Sequence, residues 1–303
     1  MSDTLHKFLF NNAPVRGEVV QLAQTWQRIQ QHHHYPQSVM KLLGEMLAAS
    51  ALLCANLKFN GALVMQIHGD GPVKLLVVEC NSDLTMRATA KVDAAATITP
   101  DATMQTLINV HGQGRCVITL DPKDKLPGQQ PYQGIVPLVG ASIAQALEHY
   151  MERSEQLHTR LWLAADANTA AGVLLQQLPT EGGTQPAHSD SDAWERATHI
   201  AHTLKPEELL TLPPSTLIHR LYWQEQLQAT EERPCAFQCS CSRERVGNML
   251  RSLGQAEIEG ILSEQEQVKV HCEYCNQRYD FDAVDCAQLL MEKISGAHSE
   301  TRH

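Results

Sequence analysis

Cys239-Ser240-Cys241, then thirty residues, then Cys272-Glu273-Tyr274-Cys275: two close cysteine pairs lie near the end of a 303-residue chain. Zinc takes four tetrahedral ligands, and a site closed by four sulfurs is structural, with no position open for water. A Cys-x-x-Cys turn can present two sulfurs to one metal, whereas Cys-x-Cys is tighter and less usual. The spacing and the cysteine usage predict one zinc site per chain, built from Cys239, Cys241, Cys272 and Cys275. Spacing alone leaves two roles open for it, a structural knuckle or a set of thiols that also senses oxidants.

The rest of the composition bounds the answer. A chain of this length makes about two domains with a sizeable core. Hydrophobic residues are 43% of it and charged residues 19%, so most of it reads as globular. A net charge of −10 argues against a protein built mainly to hold nucleic acid or anionic lipid. The opening residues Met1-Ser2-Asp3-Thr4-Leu5-His6-Lys7 lack a signal-peptide pattern, and no uninterrupted apolar run reads as a membrane span. The expectation is a cytosolic protein whose nine cysteines are mostly reduced, with a clustered set given to metal or to redox sensing.

Upstream, the pattern predicts an α+β core over residues 1–178. Val15, Val19 and Val20 mark a strand, and Leu22, Trp26 and Ile29 a helical face. His32-His33-His34 reads as a solvated connector. Pro36 opens a helix to about Lys58 that is apolar nearly all round, and Cys54 within it reads as a small buried hydrophobe. Ala62–His68 and Val73–Cys80 flank the turn Gly69-Asp70-Gly71-Pro72, and Thr85–Val92 completes a meander. These glycines join strands and do not form a phosphate loop. Residues 103–110 suggest a short helix. Further strand pairs are predicted at Arg115–Leu120 with Tyr132–Leu138 and at Leu157–Ala165 with Ala171–Leu178, around a helix marked by Ile143, Leu147 and Tyr150.

Residues 179–192 have linker composition, and residues 179–234 as a whole read as a metastable helical linker. Trp194, Ala197, Ile200, Ala201 and Leu204 share one helical face; Leu217, Ile218, Leu221 and Tyr222 share another. Helices this short need something to dock on, and the core before them and the module after them are the expected supports. Residues 235–303 form a small zinc-binding module with predicted helices at Ser242–Leu253, Gln255–Leu262 and Ala283–Lys293. Short strands at Gln267–His271 and Gln277–Phe281 flank the second cysteine pair. Such a segment buries little apolar surface and relies on its metal as a staple.

Three chemistries compete for the site. Zinc hydrolysis needs an open coordination position and a general base; Glu273 lies between two ligands, but no H-E-x-x-H or deaminase pattern surrounds it. The chain is therefore not expected to be an enzyme. A nucleic-acid-binding zinc ribbon would use Arg243, Arg245 and Arg251 on phosphates. A redox switch would use the thiolates themselves: zinc keeps them deprotonated, the form that oxidants attack, and neighbouring sulfurs can close Cys272 with Cys275 and Cys239 with Cys241. The module would then unfold and expose apolar faces.

At this point a resemblance becomes specific. Cys239-Ser-Cys241-Ser-Arg-Glu-Arg with His271-Cys272-Glu-Tyr-Cys275 resembles the 33 kDa heat-shock protein family of redox-regulated holdase chaperones. Val15-Arg16-Gly17-Glu18, Gly69-Asp70-Gly71-Pro72, Tyr132-Gln133-Gly134, Arg153-Ser154-Glu155-Gln156-Leu157 and Glu208-Leu209-Leu210-Thr211-Leu212 extend the match over nearly the whole chain. The resemblance implies an N-terminal core that binds clients and dimerises, a metastable linker and a C-terminal zinc switch. It implies an ATP-independent chaperone for unfolded or oxidatively damaged proteins, zinc-bound and inactive when reduced, and a homodimer when oxidised. The family's four zinc cysteines fall on Cys239, Cys241, Cys272 and Cys275. Cys54, Cys80, Cys116, Cys235 and Cys286 lie outside the motif, and Cys235 offers a competing partner for Cys239. Nucleic acid and membrane are not expected partners.

Overall fold

The structure, a computed structural model, describes residues 3–11, 13–124, 130–179 and 192–296. Residues 180–191 of the predicted linker at 179–192, and residues 125–129 of the loop through Pro127 and Gly128, lie outside the described residues. The chain divides into two compact units, Met1–Gln238 and Cys239–His303. They are called the body and the module below.

The body begins with β1 (Thr4–Phe10), β2 (Val15–Leu22), α1 (Gln24–Gln30) and α2 (Gln37–Cys54). The meander follows as β3 (Gly61–His68), β4 (Val73–Asn81) and β5 (Thr85–Val92), then α3 (Met104–Ile108), β6 (Arg115–Pro122), β7 (Tyr132–Pro137) and α4 (Ile143–Arg153). Next come β8 (Thr159–Ala165), β9 (Ala170–Gln177), α5 (Ala193–Ala201), α6 (Pro206–Thr211), α7 (Pro214–Tyr222), β10 (Leu227–Pro234) and β11 (Ala236–Phe237). Two sheets result. The first has the order β10-β1-β2-β9-β8, the second β11-β5-β4-β3-β6-β7. Neighbours are antiparallel except β11, which runs parallel to β5 for two residues. The α+β class expected from the sequence holds. Leu22, read as helical, closes β2 instead, because α1 starts only where the Asp3 carboxylate collects the N–H groups of Ala23, Gln24 and Thr25 at 2.8, 3.0 and 2.6 Å.

Helix α2 packs against strands of both sheets. Val39, Leu43, Met46, Leu47, Ala48, Ala51 and Leu52 are all fully buried, which is why its apolar residues run around the whole helix. By length and composition it is the one described helix that could cross a membrane, and 72% of that window is buried inside the fold. Close approach requires Gly44, whose missing Cβ would sit 2.5 Å from the Ala165 Cβ. The Ser50 hydroxyl, buried in the same helix, is satisfied by the Met46 carbonyl at 2.8 Å.

The first sheet is covered on its other face too. Phe8, Phe10, Val15, Val19, Ala164, Ala171, Val173 and Leu175 alternate with the residues that face α2. Helices α5, α6 and α7 lie over them and contribute Ala197, Ala201, Leu209, Leu217 and Tyr222. Tyr222 packs its ring 5.7 Å from Phe8 and 5.3 Å from Phe10, and its hydroxyl donates to the Ala197 carbonyl. The Gln21 amide donates to the carbonyls of Leu210 and Leu212 at 3.0 and 3.2 Å, satisfying the open end of α6. Arg196 grips Glu225 with two bonds of 2.6 and 3.1 Å, tying α5 to the segment after α7. The support for these helices is thus the outer face of the first sheet. At nine, six and nine residues they are well below the ~12–15 at which an isolated helix becomes even marginal. Leu217→Ala is expected to destabilise this layer by about 2–5 kcal/mol. Hydrogen exchange should quicken in α5–α7 and leave β3–β6 unchanged. Equal loosening of both sheets would show that the helices are not a separable layer.

The module consists of α8 (Arg243–Leu253), α9 (Gln255–Glu264), β12 (Val268–His271), β13 (Arg278–Phe281) and α10 (Ala283–Gly296). The two strands form an antiparallel hairpin, Val268 opposite Phe281 and His271 opposite Arg278. Among the described residues its fully buried apolar side chains are Leu250, Ile258, Val268, Phe281 and Cys286. That is a thin core for a unit of this size.

Candidate metal centre

The hairpin delivers half of the site. Asn276 adopts φ +54°, in the left-handed region that asparagine tolerates, so the chain can turn tightly after Cys275. The Cys272 N–H donates to the Gln277 carbonyl at 2.9 Å and the Asn276 N–H to the Cys272 carbonyl at 2.8 Å. The other half comes from the approach to α8. Ser242 caps that helix by accepting the Arg245 N–H, which fixes Cys241 and Cys239 just ahead of it.

The four sulfurs predicted from spacing come together. All lie within 4.8 Å of one another; Cys239 and Cys272 are 3.6 Å apart, Cys241 and Cys275 3.4 Å. A tetrahedron with Zn–S bonds of ~2.3 Å has edges of about 3.8 Å, so the donor set and its spacing fit a thiolate-bound cation. The Tyr279 hydroxyl donates to the Cys241 sulfur at 3.1 Å, and this bond holds the tyrosine up to about 12. As free thiols the group is electrostatically crowded. Desolvation raises Cys272 and Cys275, and the neighbouring sulfurs push both further up. A cation among them reverses that logic, since a coordinating thiol is deprotonated outright.

The remaining cysteines differ in kind. Cys54, Cys80, Cys116, Cys235 and Cys286 are buried, whereas the four of the cluster are half-buried. Burial pushes the Cys116 and Cys235 thiols up to about 12. Cys235 belongs to the body's core with Cys54 and Cys80. Cys235→Ser is accordingly expected to leave metal binding nearly intact, and Cys239→Ser to lower it sharply. Metal content of the purified proteins checks this, and loss in Cys235→Ser with none in Cys239→Ser would mean that the ligand register is wrong.

Arg243 and Arg245, which could have met phosphates, have partners inside the module. Arg243 lies over the Phe281 ring at 4.2 Å, pairs with Asp285 at 2.7 Å and donates to the Asp280 carbonyl at 2.7 Å. Arg245 holds the Ser240 hydroxyl and carbonyl at 2.6 and 3.0 Å, bracing the turn between two cluster cysteines. Arg243→Ala is expected to destabilise the module by about 1–3 kcal/mol. Any nucleic-acid binding by the reduced protein should be weak and should not change its salt slope in this variant. A slope that falls by about one would place Arg243 on a phosphate instead.

A two-sheet body joined to a small module with four converging thiols defines a class of protein whose site is a metal-type thiol centre. The fold is shared with the crystal structure of the 33 kDa chaperonin (heat shock protein 33 homolog) of Thermotoga maritima. The TM-score is 0.78 at 22% identity, over 97% of this chain and 99% of that one. The family model described as Hsp33 protein matches residues 3–282. The chain is 49% identical over 304 residues to the 33 kDa chaperonin of Methylobacillus flagellatus, covering 100% of this chain and 99% of that protein. It is 48% identical to the 33 kDa chaperonin of Chromobacterium violaceum over 302 residues, 99% of this chain and 98% of that one. The chain belongs to the Hsp33 protein family, a family of molecular chaperones.

Proposed function

We propose that this protein is an ATP-independent holdase of the cytosol, switched on by oxidation of Cys239, Cys241, Cys272 and Cys275. The observation that carries the reading is the outer face of the first sheet, rich in Phe8, Phe10, Val15, Val19, Val173 and Leu175 and covered by short helices. A surface of that kind, once uncovered, binds other apolar chains. The cover is marginal by length, and it is continuous in sequence with the four-thiol module.

A zinc ion bound by the four sulfurs would keep them as thiolates and staple the thin-cored module. In the reduced protein the cysteines hold the module folded, and α5–α7 stay seated. Oxidation pairs Cys272 with Cys275 and Cys239 with Cys241. Each thiolate pair gives two electrons to a peroxide; an S–S bond forms, the O–O bond breaks, and two hydroxide ions leave. Disulfide sulfurs are poor ligands, so the pairs release the ion and the module loses its staple. β11 pairs with β5 for only two residues, whereas β10 pairs with β1 at seven, so unfolding that reaches α7 strips this edge strand from the first sheet. The uncovered sheet then takes up unfolding or oxidised proteins, and two bodies associate into a homodimer. The test follows aggregation of a denatured client together with zinc release. Protection should appear only after oxidation. Equal protection by the reduced, zinc-loaded protein would sink the reading.

A further inference from the structure

Three cysteines outside the cluster meet in the body. Cys54 ends α2, Cys80 lies in β4, and Cys235 separates β10 from β11. The Cys54 thiol donates to the carbonyls of Cys80 and Asn81, each at 3.2 Å, and the Cys80 thiol turns to the same Asn81 oxygen at 3.7 Å. Two S–H groups therefore converge on one acceptor, the Asn81 carbonyl oxygen. Cys54 is 1% exposed and Cys80 0%, so neither meets an oxidant while its cover stays in place.

Part of that cover is a strap, residues 233–238. The Arg233 guanidinium donates to the Ser82 carbonyl. The N–H groups of Cys235, Ala236 and Gln238 donate to the carbonyls of Asp3, Leu84 and Met86 at 2.9, 3.2 and 3.0 Å. The Phe237 ring lies 5.6 Å from His32, which is thereby more than a solvated connector. These bonds lay the strap along residues 82–86, the turn that follows β4 and the first two residues of β5. The strap's first two residues end the β1–β10 ladder, and beyond them it is held by these bonds and two residues of parallel pairing.

We propose that Cys54 and Cys80 are a second redox pair, separate from the four-cysteine cluster, which the strap shields and which closes into a disulfide when the strap lifts. With a peroxide the balance is two thiols and one peroxide to one disulfide and two waters. Cys54 attacks the O–O bond and becomes a sulfenic acid as one water leaves; the Cys80 sulfur displaces its oxygen as the second. The bond would join the end of α2 to β4 and brace the inner core when the strap no longer does.

The test uses the full-length, reduced, zinc-loaded protein. Ala236→Pro removes the N–H that bonds Leu84 and opens the strap without touching the four-cysteine cluster. N-ethylmaleimide labelling of Cys54, read by peptide mapping, should quicken by about tenfold, with Cys116 unchanged as an internal control. Arg233→Ala should act in the same direction and less. Under peroxide, non-reducing maps should show a Cys54–Cys80 peptide at low dose in Ala236→Pro. In the wild type it should follow oxidation of the four cluster cysteines. Cys80→Ala should abolish it and leave Cys54 over-oxidised, and Cys235→Ser should retain it. Free Cys54 and Cys80 in the opened variants, or Cys54 linked to Cys235, would overturn the proposal. Labelling of Cys54 and Cys116 rising together would show general unfolding and would overturn the strap's role. Because the opened variants bypass the cluster, their outcomes do not depend on the proposed redox function; only the order in the wild type rests on it.

Discussion

Removal of the metal from the reduced protein is expected to unfold residues 239–296 as a unit while the strands β1–β9 stay protected. Structural zinc contributes an apparent ~10–16 kcal/mol in finger peptides, and a whole domain is typically stable by only ~5–15 kcal/mol. Among the described residues the module has Leu250, Ile258, Val268, Phe281 and Cys286 as its fully buried apolar side chains, too few to replace that term. Chelation followed by hydrogen exchange reads the result. Amides of the β12–β13 hairpin should lose protection together, and readdition of zinc should restore it. A metal-free module that keeps the Val268–Phe281 pairing protected would show that its core holds without a staple. The same loss is expected from serine at any one of the four cluster cysteines.

Peroxide treatment of the zinc-loaded protein should free the cover of the first sheet. Exchange should rise through α5, α6, α7 and β10 as well as through the module. The β2–β9–β8 ladder should stay slow, because Val20, Leu22, Leu161, Ala170 and Leu174 also pack on the α2 side. Suppression of client aggregation should rise in step, from none to nearly complete. Activity that appears with residues 193–230 still protected would separate the chaperone surface from this layer. Increased exchange spreading into β3–β6 would mean general unfolding rather than a switch.

The sequence carried the cluster openly, because four ligands need only two local spacings and a turn. It carried the meander β3–β5 as well, since Gly69-Asp70-Gly71-Pro72 forces a reversal between two runs of alternating residues. β1, β10 and β11 were not legible. β10 is an edge strand of Leu-Gln-Ala-Thr-Glu-Glu-Arg-Pro, mostly exposed, and has no apolar rhythm to betray it. β1 pairs with it across more than two hundred residues of sequence. It also puts Leu5 on one face and Phe8 and Phe10 on the other, since both faces are covered. The seat of α5–α7 was hidden for the same reason: their apolar faces announce a partner, but only the assembled sheet identifies it. The amphipathic spacing of Leu217 and Tyr222 was readable; the packing of Tyr222 on Phe8 was not.

The position of α2 has a consequence for the protein's own synthesis. The helix is complete at Cys54, but β9, which covers much of its length, begins at Ala170. At about 5–20 residues per second, some 6–23 s pass before that strand has been made. Through that interval the nascent chain carries a segment with the length and apolarity of a bilayer-spanning helix and only part of its shield. While it is being made, a protein of a chaperone family thus carries the kind of uncovered apolar segment that chaperones bind, and slow codons placed between residues 54 and 170 should raise its dependence on ribosome-associated helpers.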